Sequence, residues 1–211
     1  MKWLSVVIVV LFVIGMVMGA GCPQAVPSGK VPVAAAPSPC DLALTAADAP
    51  ANYTLVESRA KTSDEVGSLA KDLGWQGGYV VKYSGLPDHP MGATEITQMV
   101  TTYPAAGMAE IVAFVDSNDR ADPELIITTL PSPGLGENSI AFSGQANSQI
   151  ILRPDTDSPF ESGSLKGSFK QNMVEIVFSK GSTLEVFKMT GPYADYATLM
   201  QLAETAYAKL P

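Results

Sequence analysis

The chain has few of the residues on which common enzyme mechanisms depend. It contains one histidine, His89, and two cysteines, Cys22 and Cys40, among 211 residues. Any Ser–His or Cys–His mechanism would have to use His89, which lies between two prolines and is typical of an exposed turn. A zinc site normally takes three or four His and Cys ligands, and these three residues are far apart in the chain. The sequence therefore indicates no metal and no cofactor.

Short catalytic motifs and basic runs are also missing. The sequence has no nucleophile elbow, P-loop, C-x-x-C or H-E-x-x-H pattern. Its 13 Lys and Arg residues form no run, and 21 Asp and Glu residues bring the formal net charge to −8. An acidic chain without a basic patch does not suit a polyanion, so we expect no nucleic-acid partner.

The N-terminus, residues 1–21, has the three parts of an export signal. Lys2 supplies the positive charge, an apolar run follows from Leu4 to Met18, and small residues end it at positions 19–21. The run is shorter than the roughly 20 residues that span a bilayer comfortably. Residues 1–21 are therefore predicted to be a signal peptide, with an uncleaved N-terminal membrane helix as the alternative.

The segment Gly19-Ala20-Gly21-Cys22 resembles the lipobox of prokaryotic lipoproteins, and its Ala-Gly-Cys form is similar to archaeal members. The resemblance implies that the Cys22 sulfur carries a diacylglyceryl group after cleavage before Cys22. Two acyl chains suffice for stable membrane anchoring, whereas one does not. The alternative is a disulfide between Cys22 and Cys40 in a secreted protein, since both lie in an exported chain.

Residues 22–40 are predicted to be a linker. They contain five prolines among alanines and serines, a composition that favours extended polyproline geometry and builds no core. A spacer of this kind is what a lipid-anchored domain needs to stand off the membrane. Residues 41–211 are then long enough for one domain, which we expect to face the extracytoplasmic side.

Hydrophobic patterning predicts an α+β domain. Strand patterns start near residues 52, 78, 94, 125, 139, 149, 173 and 183, and residues 179–182 are a candidate hairpin turn. A helical pattern follows Thr62, which forms a capping box with Glu65 and is followed by an apolar face that includes Leu69. A second helical pattern follows Pro104 and ends at a polar loop over 116–124, and a third covers 194–209. Because strands mostly follow strands, we expect a mainly antiparallel sheet covered on one face by about three amphipathic helices. The strand-rich middle and the C-terminal helix are loosely similar to PsbP-like sandwiches.

Three local features are candidate sites. Trp75 and Tyr79 flank two glycines, so they either hold a ligand between their rings or pack inward around a turn. Asn52 begins the sequon Asn-Tyr-Thr and is a glycosylation candidate. Two acidic segments offer oxygen ligands suited to calcium, with solvated loops as the simpler interpretation. Their candidate ligands are Asp116, Asn118, Asp122, Asp155, Asp157 and Glu161.

These observations favour a membrane-anchored lipoprotein of the cell envelope whose domain binds another envelope protein or a small ligand rather than catalysing a reaction. Two alternatives remain open. One is an envelope hydrolase with a carboxylate pair, which requires two carboxylates in one cleft and a raised pKa on one of them. The other is a calcium-stabilised surface or adhesion protein.

Overall fold

The computed structural model describes residues 37–85, 92–121, 125–152 and 165–211. In this part of the chain, seven strands form one sheet in the order β1-β2-β3-β7-β6-β5-β4, and each strand is antiparallel to its neighbours. The predicted α+β class and antiparallel sheet are confirmed. The strands are β1 Tyr53–Ala60, β2 Gly77–Gly85, β3 Thr94–Thr102, β4 Leu125–Thr129, β5 Asn138–Leu152, β6 Leu165–Lys180 and β7 Thr183–Thr190.

The sheet consists of two meanders, one from β1 to β3 and one from β4 to β7. Strands β3 and β7 join them at the centre of the sheet, where Gln98 is paired with Phe187 in the antiparallel register. The tightest connection is between β6 and β7, where Lys180 pairs with Thr183 and Gly181 adopts φ +58°. Glycine favours this left-handed conformation in a two-residue hairpin turn, and the predicted hairpin is thus confirmed.

Within the described ranges, four α-helices accompany the sheet: α1 Pro39–Leu42, α2 Ser68–Asp72, α3 Met108–Arg120 and α4 Tyr196–Tyr207. Helix α1 begins two residues before the expected start of the domain at 41. Helix α4 lies within the predicted range, and the side chain of Asp195 caps it by accepting a hydrogen bond from the Thr198 N–H at 2.8 Å.

The helices are divided between the two faces of the sheet, which corrects the expectation that they cover one face. Successive residues of a strand point to opposite faces. Ile176 and Phe178 belong to the main core cluster with residues of α1 and α4, whereas Val177 between them belongs to a second cluster with residues of α3. We call these the main face and the second face.

The segment that follows Thr62 forms two short helices instead of one. Glu65 accepts hydrogen bonds from the backbone N–H and hydroxyl of Thr62, as the predicted capping box requires, but only a 3₁₀ turn follows. Gly67 then precedes α2, and its low helix propensity fits the interruption. Leu69, which was expected to face inward, is 42% exposed.

Two strands are longer than their sequence patterns suggested. The segments around residues 139 and 149, predicted as separate strands, are parts of β5, which pairs with β6 from Asn138↔Ser179 to Leu152↔Leu165. Continuous pairing across this long hairpin carries the strands through polar residues that interrupt the hydrophobic alternation. The length of β5 and β6 therefore depends on their pairing with each other and not on the hydrophobic pattern of either strand alone.

Candidate functional site

Trp75 and Tyr79 do not form a shared site. Tyr79 is buried in the main cluster, and its hydroxyl lies 3.0 Å from the Ser58 hydroxyl. Trp75 is half-buried and packs against the second cluster, on the other face of the sheet. Both side chains therefore pack inward, as the second interpretation predicted. A ligand held between the two rings would have to pass through the sheet.

Asn52 lies in the turn that precedes β1. It is exposed and has φ +69°, a left-handed conformation that asparagine tolerates better than most residues. The neighbouring Tyr53 is buried, and the Thr54 hydroxyl donates to the Ser84 carbonyl oxygen at 3.2 Å. The acceptor nitrogen is therefore accessible, and its glycosylation stays a prediction.

The first acidic segment is helical rather than a loop up to Arg120, so the expectation of a polar loop starting at 116 is wrong. Asp116 pairs with Arg120 at 2.8 Å, an i,i+4 ion pair that stabilises the last turn of α3. Asp116 and Asn118 are two positions apart on the helix and do not face each other. Within the described residues, no three His, Cys, Asp or Glu side chains come together in a way that could hold a metal ion.

Other predicted residues lie outside the described residues. They are the signal peptide, Cys22, most of the linker, His89, Asp122, Asp155, Asp157 and Glu161. Cys40 is described: it lies in α1 and is half-buried against the main cluster. None of the helices in the described ranges is long and apolar enough to cross a membrane.

A groove of about 440 Å³ lies between α3 and the start of β5. Met108, Ile111 and Val112 turn one side of α3 into the second cluster. Beside them, Ala109 and Ala113 are one turn apart, and these small side chains leave space against β5. The volume is within the range of small-molecule sites.

The lining of this α3–β5 groove is half apolar and half polar. The apolar part consists of Ala109, Val112, Ala113 and Ile140, and the polar part of Asp116, Glu137, Asn138 and Ser139. Two carboxylates at one groove give it hydrogen-bond acceptors and negative charge, although Arg120 offsets the charge of Asp116. Ligand sites are mostly apolar with a small number of polar groups, and this groove has a larger polar share than that.

A second unusual arrangement is buried under the main face. Glu185 and Gln98 are both 0% exposed, and the Gln98 side-chain amide donates to Glu185 Oε2 at 2.9 Å. Gln98 Oε1 accepts the backbone N–H of Leu44 at 2.8 Å. Glu185 Oε1 has no hydrogen-bond partner within the described part of the chain.

Burial raises the pKa of Glu185 to about 8, although the Gln98 hydrogen bond and the positive charge of Lys209 act in the opposite direction. A carboxyl with this pKa is mostly protonated at neutral pH. Raised carboxyl pKa values are common in catalytic sites, but Glu185 is closed off from solvent.

The groove and Glu185 lie on opposite faces of the sheet. A hydrolase of the predicted kind needs its protonated carboxyl within reach of the substrate and of the second carboxylate. Asp116 and Glu137 line the groove, whereas Glu185 is in the core on the main face. Within the described residues, the two carboxylates of the groove and the carboxyl with the raised pKa therefore lie on opposite faces of the sheet.

Gln98 and Glu185 were not among the predicted site residues, although the sequence carries a signal for both. Gln98 alternates with Ile96 and Val100, and Glu185 alternates with Phe187 and Met189, so both polar residues occupy inward-facing positions of their strands. A polar residue at an inward position calls for a buried partner. The pairing itself depends on β3 and β7 being neighbours.

Similar proteins do not extend this description. No protein-family model matches the chain, and neither a curated protein nor a solved structure matches it, so the likenesses to lipoproteins and to PsbP-like sandwiches stay predictions.

Proposed function

We propose that this protein is a lipid-anchored extracytoplasmic binding protein whose ligand site is the α3–β5 groove. In this proposal Cys22 of the mature lipoprotein carries the anchor and is not the partner of Cys40, which is disulfide-bonded in the structure. The proline-rich residues that follow are the spacer, and the domain is the ligand-binding head. The observation that carries the binding role is the groove itself, which combines four apolar side chains with four polar ones.

The polar side of the groove favours a particular class of ligand. Asp116 and Glu137 contribute carboxylates, and the chain as a whole is acidic, so an anionic ligand would be repelled. Ala109, Ala113 and Ile140 offer apolar contact beside them. We therefore propose a small ligand with an apolar body and a cationic or hydrogen-bond-donating head group.

Binding can be tested with two fragments that differ only in the head group: 2-phenylethylamine and 3-phenylpropionate. Ligand-observed NMR on the full chain should detect the amine and not the carboxylate. Ala113→Leu fills the groove with a residue of high helix propensity and should abolish the amine signal. Gln201→Leu adds the same side chain to an exposed position on α4 and should leave the signal unchanged. Equal binding of both fragments, or binding that survives Ala113→Leu, would contradict the proposed site.

Anchoring needs a separate test, since it depends on Cys22 and not on the groove. The intact mass of the N-terminal peptide from membrane-expressed protein should correspond to a chain that begins at a diacylglyceryl Cys22. Cys22→Ser should lose the lipid mass and release the protein from membranes. A peptide that begins at unmodified Cys22, that is bridged to Cys40, or that retains residues 1–21 would rule out the lipid anchor.

A further inference from the structure

We propose that residues 38–48, which we name the strap, form a latch over the sheet that the proton on Glu185 holds closed. The strap contains α1 and a 3₁₀ turn over Ala46–Asp48. It is the first folded segment after the predicted spacer, so any displacement of the strap changes where the domain is attached. The strap lies on the main face, so its opening does not depend on a ligand in the groove on the second face.

The strap covers part of the main face with a short apolar segment. Leu42, Ala43 and Leu44 are each at most 4% exposed and belong to the main cluster. Both ends of the strap are polar and closed by local hydrogen bonds, from Ser38 to Asp41 at 2.8 Å and from Thr45 to Asp48 at 2.8 Å. Its attachment to the sheet therefore depends on three apolar residues and on the polar contacts that accompany them.

One chain of hydrogen bonds links the middle of the strap to Glu185. The Leu44 N–H donates to Gln98, whose amide group donates to Glu185. An amide side chain has both a donor and an acceptor, so Gln98 has a fixed orientation between the two. When Glu185 is neutral, this chain satisfies the strap's backbone without a buried charge.

A second set of contacts ties the strap to the end of the chain and to β2. The Lys209 ammonium donates to the Ala43 carbonyl at 3.2 Å and to Asp48 Oδ2 at 3.0 Å. The Tyr83 hydroxyl donates to the Thr45 carbonyl at 2.8 Å. These bonds fix the strap against the main face at Ala43, Thr45 and Asp48, on either side of Leu44.

The elements around Glu185 carry few groups that could compensate its charge. The titratable side chains that belong to the main cluster or pack against it are Tyr53, Tyr79, Tyr83, Tyr196 and Tyr207, and the charged groups that contact them or the strap are Asp48, Lys180 and Lys209. Lys209 is the one whose charge acts on Glu185, and it is already paired with Asp48. Burial raises the pKa of Tyr83, so this residue stays neutral while Glu185 titrates.

Loss of the Glu185 proton therefore leaves a buried charge with one amide donor, whereas an open strap would let water reach it. Because Glu185 has a pKa of about 8 under the closed strap and an ordinary value near 4.5 in water, opening releases a proton. The opening constant should rise about tenfold per pH unit between about 5 and 8 and level off above that. If the domain is anchored as proposed, opening of the strap would lengthen the spacer between the anchor and the domain by roughly 30 Å.

Hydrogen exchange of the Leu44 amide in the full chain in detergent micelles tests the latch directly. Protection factors, corrected for intrinsic exchange, would be measured at pH 5.5, 6.5 and 7.5 and compared with those of residues 174–178 in β6. We expect Leu44 to be at least tenfold less protected than the β6 amides, and its protection to fall by about 100-fold over this range. Low denaturant should leave Leu44 exchange unchanged and speed exchange in β6.

Two variants locate the effect. Glu185→Gln should make Leu44 protection independent of pH. Glu175→Gln removes a buried glutamate on the second face, beside Lys188, and should leave the pH dependence as it is. The proposal is overturned if Leu44 and β6 share one protection factor, if wild-type Leu44 protection does not change with pH, or if Glu175→Gln abolishes the change. If Glu185→Gln fails to fold, the proposal is still tested by two wild-type measurements: the protection of Leu44 relative to the β6 amides, and its change with pH.

Discussion

Lys209 and Asp48 form an ion pair of 3.0 Å that joins the end of the chain to the first turn of the domain. Asp48 Oδ2 also accepts the backbone N–H of Thr45 at 2.7 Å. Burial pushes the pKa of Asp48 upward, but the bonds from Thr45 and Lys209 outweigh it and leave the pKa below its usual value. The Lys209 ammonium thus connects the residues after α4 to the strap, through the Asp48 carboxylate and the Ala43 carbonyl.

Lys209→Met should destabilise the domain. It removes the ion pair and the bond to the Ala43 carbonyl while it keeps most of the apolar stem, so we expect a loss of about 1 to 2 kcal/mol in urea unfolding at pH 7. Lys71→Met on exposed α2 is the control and should change stability by less than about 0.5 kcal/mol. Equal effects of the two variants would mean that the ion pair contributes nothing.

Glu185→Gln should flatten the dependence of stability on pH. The folded-state pKa is raised above the ordinary value, so the folded protein binds more protons between about 4.5 and 8 and loses stability as the pH rises through this window. The variant should match the wild type near pH 4 and exceed it at pH 8 by on the order of 4 kcal/mol. Urea unfolding at pH 4, 6 and 8 measures this difference, and parallel curves at all three values would refute it.

Phe187→Ala should leave a large cavity in the main cluster. Phe187 is fully buried and stacks on Phe178 with ring centroids 6.1 Å apart. We expect a loss of about 3 to 5 kcal/mol in thermal or urea unfolding. Phe114→Ala removes the same group from a ring that is 39% exposed on α3 and should cost less than about 1 kcal/mol. Similar losses for both would show that the sheet does not bury Phe187 as described.

Gly134 and Gly136 offer a matched pair of substitutions. Both have a left-handed backbone, with φ +66° and +69°, so alanine costs about 1 kcal/mol at either position. A Cβ at Gly136 would also clash with the Ser179 carbonyl oxygen, whereas nothing lies within 4 Å of one at Gly134. Gly136→Ala should therefore lower the melting temperature by several degrees more than Gly134→Ala. If the two variants melt together, the backbone at Gly136 does not approach Ser179 this closely.

Local features of the fold were predictable because they depend on neighbouring residues. The apolar positions 108, 111, 112 and 115 repeat with a helical period, and α3 forms where they predict it. The predicted end of α3, at residue 115, was too early. The acidic residues after 115 have the composition of a loop, but the ion pair between Arg120 and Asp116 stabilises another helical turn there. Charged pairs one turn apart extend helices that composition alone would end.

By itself, the sequence determined the α+β class, the antiparallel hairpin at Gly181 and the inward positions of the strands, since these depend on turn geometry and on the two-residue period of a strand. Only the tertiary structure decided that β3 lies beside β7 and that the helices are divided between the two faces. Gln98 and Glu185 are 87 residues apart and meet because of that strand order. Likewise, the groove exists because α3 crosses β5. Contacts between distant segments depend on how the whole chain packs, so no local pattern specifies them.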